Sequence, residues 1–594
     1  MVAWAVSGFS GSLPRFSGRV IPDANASECW NCDLSDGRVR GLPKPALVVD
    51  LSAVAGDVKK AYRLTGPDPG DPVAWLPLPS PHSSVCRSPL ANDTSRRVYW
   101  TNPGEGAFWN TYARIAAGNT GGNAPYNLGF IAPDPGTVPT LSSSGGTLDG
   151  TIPLVERTYL YTFVNEYGEE SSPSPPSDIV EGASDGTWTV GNLPMSDPGS
   201  PVGKSYPGVV TMRIYRTVVS ASSAAQYYLV DEVALASATY DDTIPDGEIV
   251  NNSILETQSW AVPPDLLDGL IAMPGGMLLG FTDNTVHFCE PNRPHTWPAG
   301  YDQSLQYDIV AMGVWQQNLT VLTKGFPSSG TGASPANFGF TQLQVPEPCI
   351  ARGSMVTDLT GVYYASQNGL TAINYYGMQN QTAMQFSRKE WLIDFAAEDI
   401  VACRHRSQYL AANGTGLGFL IDYSSDKPSV QQLNTFADVD SVWNDSETGT
   451  TYMVANRKVY VWDDPAEDGM LFRWRSKEFF APKAINLGSA LVIAGREILG
   501  TPAAITAPPL ETADALLALA DTDHLLFRVF AEDDGAPEGT LTNMVYEKSL
   551  TAQHNELRLP SGFKKTVWQF EIAGRVPVSA VIIGETPDDV RNAG

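Results

Sequence analysis

The stretch "LIAMPGGMLLGFTDNTVHFCE", Leu270 to Glu290, holds a short apolar run, a Pro-Gly-Gly turn, a second apolar run and, past Asp283–Asn284, a third. Four later stretches repeat the pattern: "IVAMGVWQQNLTVLTKG" from Ile309, "SMVTDLTGVYYASQNGLTAINYY" from Ser354, "IVACRHRSQYLAANGTGLGFLIDY" from Ile400 and "VDSVWNDSETGTTYMVANRKVYVWDD" from Val439. With Ile271, Val310, Val356, Val401 and Val442 as equivalent positions, the spacings are 39, 46, 45 and 41 residues. A repeat of that length with several strands per unit is the spacing of propeller blades. One blade cannot bury both faces, so neighbours must pack against it. The sequence therefore predicts a β-propeller over residues 257–475, with the five named residues on equivalent inner strands. The hairpin "RVYWTNPGEGAFWNTYA", Arg97 to Ala113, offers a further blade, which makes the intervening residues an insertion.

The whole chain fits a mainly β protein. Its 594 residues exceed one core and imply several domains. Hydrophobic residues form 42% and charged residues 17%, which excludes a disordered chain. The 54 Gly and 45 Pro are scattered among short apolar runs, as turns between strands require. Residues 1–60 read as an N-terminal arm and platform with one short helix around Ala24–Cys32. Residues 61–150 read as a β-rich platform that includes the extra blade, ending in the linker "TLSSSGGTLDG". Residues 151–256 read as a β-sandwich, with Tyr159, Tyr161 and Phe163 alternating onto one inward face. Residues 476–594 read as a C-terminal β-sandwich-like domain, opened by a short Ala/Leu helix before "LFRVFAEDDGA".

Charge narrows the function classes. The formal net charge is −27, from 38 basic and 65 acidic residues. Such a surface repels nucleic acid and anionic membrane. No run approaches the ~20 apolar residues of a membrane span. The start "MVAWAVSGFSGSLPRF" has no basic n-region, so a signal peptide is not expected. Six dispersed Cys fit reduced thiols.

Candidate chemistry is sparse. His287, Cys289, Glu290 and His295 are metal-ligand types within nine positions. A strand sends His287 and Cys289 to one face and Glu290 to the other, and two prolines then break it before His295. No metal site and no cofactor are expected. Cys29 and Cys32 form a lone CxxC with no second pair, so structural thiols on the short helix are expected. "GASDG", Gly182 to Gly186, matches a nucleophile elbow in letters, but a strand and turn follow it where a helix is needed. "SSGTGAS", Ser328 to Ser334, lacks the lysine of a phosphate loop. No pair of acids stands in a glycosidase motif, and Trp297, Trp315, Trp391, Trp443 and Trp462 read as blade packing. No catalytic residue is assigned.

The stretch "FSGRVIPDANASECWNCDLSDGRVRGLPKP", Phe16 to Pro45, resembles the N-terminal arm of the tail nozzle, or tail tubular protein B, family of short-tailed bacteriophages. "YLYTFVNEYGEESSPSPPS", "MRIYRT", "HFCEPNRPHTWPAGY" and "VYYASQNGLTAI" are similar to that family's central region, and residues 151–256 also resemble a fibronectin type III module. The resemblance implies a structural, non-enzymatic virion tail protein assembled in the host bacterial cytoplasm. It implies a ring, hexameric in the family, that conducts and gates the genome. Implied partners are further copies of the chain, the portal-adaptor protein, fibres or spikes, and double-stranded DNA passing without sequence-specific binding. The alternatives are a receptor-binding or fibre-adaptor protein and a propeller glycosidase or depolymerase. Because the arm is rich in Pro and Gly, its apolar residues are expected to find a core in another subunit. Phe9, Phe16, Trp30, Arg38, Arg40 and Lys44 are thus candidate assembly contacts, the three cations facing an acidic partner.

Overall fold

The computed structural model describes residues 3–147, 150–220, 223–422, 429–434, 438–496, 525–533 and 542–593. Among them, seven β units surround one axis. Blade 1 is a two-stranded hairpin, Lys60–Leu64 with Ala74–Leu78. Blade 2 runs Ser84–Arg87, Val98–Asn102, Gly106–Asn110 and Tyr126–Asn127. Blades 3, 4 and 5 begin with Asp268–Met273, Ile309–Trp315 and Val356–Thr357, each followed by three antiparallel strands. Blade 6 begins with Val401–His405 and blade 7 with Val439–Asn444. Ile271, Val310, Val356, Val401 and Val442 all lie on these first strands.

Seven apolar seams close the ring, and each joins two consecutive units. Tyr99 and Trp109 of blade 2 pack with Leu270 and Leu278 of blade 3. Leu279 and Phe288 then meet Met312 and Val321, Ala311 and Leu322 meet Val362 and Tyr364, and Tyr363 and Leu370 meet Tyr409 and Phe419. Leu410 and Leu420 meet Met453 and Tyr460. Val454 and Val459 of blade 7 meet Val58 and Ala61 of blade 1, and Leu64 and Leu76 return to Val98 and Trp100 of blade 2. Each blade thereby buries both faces, which the alternating apolar strands demand.

The last blade takes its outer strand from the other end of the chain. Ala46–Asp50 pairs antiparallel with Lys458–Val461. This fastens the ring across four hundred residues of sequence and covers an edge that would otherwise stand open.

Between blades 2 and 3 the chain leaves the ring and forms the inserted sandwich. One sheet is Tyr159–Asn165, Val209–Ser220 and Ser223–Ala234; facing it are Thr140–Ser144, Thr187–Gly191 and Tyr240–Asp242. Tyr159, Tyr161, Phe163, Trp188, Met212 and Ile214 fill the space between. Thr140–Ser144 pairs with Thr187–Gly191, so the expected linker is instead a strand of this unit.

The N-terminal segment departs most from its sequence reading. It carries no helix around Ala24–Cys32: Asn25–Trp30 is a strand, paired with Phe472–Ser476. Ala26 and Cys29 point into a core there, and that tertiary pairing overrides the local helix preference of Ala, Ser and Glu. Ala3–Ser7 pairs with Val578–Gly584. The terminal sandwich is therefore built by both ends of the chain, its core uniting Val6, Phe9, Cys29 and Val39 with Trp474, Phe570, Ile572 and Val581. The expected Ala/Leu helix before Leu525 falls outside the described residues. Among the described residues no helix is long and apolar enough to cross a membrane.

Candidate functional site

The first strands of the blades begin at one mouth of the central channel. There a cavity of about 270 Å³ is lined from all seven units, among them Lys60, His82, Ser83, Ile271, Met312, Arg352, Val401 and Val442. Polar groups cluster on one side. Lys60 opens blade 1, and His82 lies just before blade 2. Arg352 lies just before blade 5, and Asp268 opens blade 3. Arg352 forms a two-pronged ion pair with Asp268, one arm at 2.7 Å. Asp268 also accepts the Gly269 N–H at 2.7 Å. Its carboxyl is lowered below its usual range; burial works against this, and the Arg352 bond and charge outweigh it.

Among the described residues Lys60 has no such partner. Its Nζ donates to the Ser83 carbonyl at 2.7 Å, and burial, followed by the charge of Arg352, lowers its pKa to about 8. His82 is likewise lowered by burial, then by Arg352 and Lys60. Its buried Nδ1 has no hydrogen-bond partner among the described residues. Gly353 lets the imidazole approach: a Cβ there would lie 2.8 Å from the Ile400 carbonyl oxygen and 3.2 Å from His82 Cε1. Gly269, at φ +62°, has its Cβ position filled by the Phe281 ring, so a side chain is disfavoured there by both conformation and space.

A second polar cluster fastens the inserted sandwich to the ring. Arg97 of blade 2 binds Asp93 at 2.9 Å and Glu169 of the insert at 2.7 Å. His295 of blade 3 reaches the Glu170 carbonyl through Nε2 at 3.1 Å and lies 3.7 Å from Glu169 through Nδ1. All three side chains are over nine-tenths buried. Burial holds the His295 pKa below its usual value, the pull of Glu169 notwithstanding.

The residues singled out from the sequence are dispersed among other tasks. His287 bridges Thr282 and Asp302 at 2.7 and 2.8 Å. Cys289 accepts the Leu278 N–H, and Glu290 accepts the Tyr301 hydroxyl. Among the described residues no three His, Cys, Asp or Glu groups gather around a metal-sized space. Cys29 and Cys32 are buried free thiols on strands, not on a helix; burial, then Cys29, pushes the Cys32 thiol up. Trp297, Trp391, Trp443 and Trp462 are buried in the blades.

The arm residues need correction in their surroundings. Phe9 is buried in this chain's own terminal core, edge-on to Trp474 at 4.9 Å. Arg38 pairs with Asp36 and Arg40 with Asp33 at 2.6 Å. Lys44 is buried. The acids that meet Arg38 and Arg40 thus belong to the same chain. Phe16 and Trp30 remain half-buried at the surface. The channel residues were missed by the sequence reading. "KK" at Lys59–Lys60 passes for solvated charge, and only ring closure separates Lys59, paired with Asp440 at 2.8 Å, from Lys60 in the channel.

No protein-family model matches the sequence, and no curated protein does. Among solved structures the chain is similar to BamB from Moraxella catarrhalis, at 11% identity and a TM-score of 0.25 over 69% of this chain and 98% of that one. It is similar to BBS1N solved in complex with ARL6DN, at 8% and 0.28 over 72% and 99%. It is also similar to the Neurospora crassa Pan2 WD40 domain, at 12% and 0.26 over 49% and 86%. The blade order and the seven seams described above define the fold as a β-propeller.

Proposed function

We propose that the protein is a non-enzymatic structural subunit of a short-tailed phage tail nozzle, a ring-forming piece that seats below a portal-adaptor protein and carries fibres or spikes. The sequence resemblance of the arm and of Glu290–Pro298 supports the family. The observation that carries the mechanical part is the buried Arg97–Glu169–His295 junction. It ties the insert to two adjacent blades, so the insert projects as a fixed arm. A tube that resists an internal genome needs such subunits, because load across a loose linker would be lost as hinge motion. Glu290–Pro298 contributes His295 to the junction, and Tyr301 braces its first residue. In this reading "EPNRPHTWP" is an interlock between blade and insert.

Net charge −27 supports passage of DNA without adhesion, since a ring multiplies that charge and phosphates are repelled. Half-buried Phe16 and Trp30 and exposed Val20 give the arm apolar surface for contact with a neighbouring copy or the adaptor.

Negative-stain microscopy with light scattering, on purified protein with and without adaptor, tests the reading. A closed ring, six-fold in the family pattern, is expected. A monomer or a trimer under every condition, with no adaptor-dependent ring, overturns it.

A further inference from the structure

The channel mouth holds an imbalance that the structural role does not use. Arg352 and Asp268 cancel each other. Among the described residues no carboxylate stands against Lys60, whose half-buried ammonium makes one hydrogen bond, to a backbone carbonyl. Cations partly withdrawn from water are ordinarily paired, because desolvating a lone charge is costly. Beside it, His82 Nδ1 is a buried polar atom with no partner among the described residues, and such atoms are few in native structures. Both groups line the same cavity. The apolar side chains of Ile271, Met312, Met355 and Val442 also line it. At about 270 Å³ it falls just below the roughly 300–1,000 Å³ of drug-sized ligand pockets, which suits a small ligand.

We propose that this end of the propeller channel binds a small organic carboxylate, whose carboxylate is received by Lys60 Nζ beside the His82 imidazole and whose apolar body rests on Ile271, Met312 and Val442. One uncancelled positive charge matches one carboxylate better than a phosphate dianion. The carboxylate supplies the missing counter-charge for Lys60, and Arg352, already two-pronged to Asp268, stays in place. The apolar wall selects against bare inorganic anions, which gain nothing from it. Gly353 and Gly269 keep the backbone thin at two points of the wall or its supports, and both resist substitution for the steric reasons given above. The site lies wholly within one chain, so it requires no assembly and stands or falls apart from the nozzle reading.

The test is isothermal titration of the full-length protein with benzoate, with benzamide as its uncharged counterpart and with inorganic phosphate. Saturable one-to-one binding of benzoate is expected, with benzamide and phosphate at least tenfold weaker. Lys60→Met should weaken benzoate at least tenfold, while Lys60→Arg, which keeps the charge, retains it within about threefold. Circular dichroism of both variants verifies that they are folded; if Lys60→Met is not, Lys60→Gln replaces it. Absence of saturable benzoate binding, equal binding of benzamide, tighter binding of phosphate, or an affinity indifferent to loss of the Lys60 charge each overturns the proposal.

Discussion

The molecule contains two sandwiches made of similar strands, and they differ in where those strands come from. The inserted one takes its core from one continuous stretch: Tyr159, Phe163, Trp188, Met212 and Ile249 all lie between blades 2 and 3. The terminal one joins Val6, Phe9 and Cys29 to Trp474, Phe570 and Val581, which are over four hundred residues away. The first has its whole core in one stretch and is expected to fold as a unit once synthesised. The second cannot complete its core until the whole propeller between its halves has been made, so long-range closure makes it slower and couples its stability to both termini.

The sharpest way to break this contrast is by deletion. Removing residues 1–45 takes away the strands from Ala3–Ser7 through Arg40–Gly41 and uncovers Trp474 and Phe479, on which Phe9 and Trp4 pack. The truncated protein is expected to lose its terminal sandwich, seen as lost near-ultraviolet circular dichroism and aggregation. Replacing residues 132–258 by a short Gly-Ser linker should instead leave the ring and the terminal sandwich cooperatively folded. Equal damage from both deletions would erase the distinction.

Single core substitutions repeat the comparison at smaller scale. Trp474→Ala and Trp188→Ala each remove a buried indole and should cost about 3–5 kcal/mol. In urea unfolding followed by segment-specific probes, Trp474→Ala should shift the transition reported by both termini, and Trp188→Ala that of the insert alone.

The insert has a charged core of its own. Arg216 and Asp242 are fully buried and paired, with Asp242 also accepting the Tyr159 hydroxyl at 2.7 Å. Arg216→Met leaves that carboxylate uncompensated and should cost up to about 3–5 kcal/mol, with a substantial part recovered in Arg216→Met/Asp242→Leu. Chemical denaturation of the two variants measures it. A double variant no better than the single one would mean that packing, not charge, is at stake.

The smallest expected effect is at the junction. Burial lowers the His295 pKa in the folded state, whereas the unfolded chain titrates near pH 6.5. As pH falls through about 6.5 the unfolded state takes up a proton that the folded state refuses, so stability declines until the lower folded pKa is reached. His295→Gln should remove that part of the slope. Melting temperatures of the two proteins should therefore converge between pH 7 and pH 5; parallel curves would contradict the assignment.

Legibility followed the same division. Five inner strands were readable because each blade repeats its own local pattern around Ile271, Val310, Val356, Val401 and Val442. The hairpin at Arg97–Ala113 was readable as a further blade for the same reason. The two-stranded blade 1 and the fastening strand Ala46–Asp50 were not, since "ALVVD" is five residues whose partner, Lys458–Val461, lies four hundred residues on. The arm was read as an unpartnered segment because its Gly and Pro content hides strands that exist only by pairing with the C-terminal half. The channel groups were invisible for a related reason: Lys60, His82 and Arg352 come from three blades, and nothing local distinguishes them from surface charge.

Hydrogen exchange followed by mass spectrometry on the intact protein tests the shared terminal core most directly. Peptides spanning residues 3–33 should be protected to the same degree as those spanning 565–584, and both should lose protection together as denaturant is added, while the insert follows its own course. Exchange of residues 3–33 at free-peptide rates, with 565–584 still protected, would contradict the account.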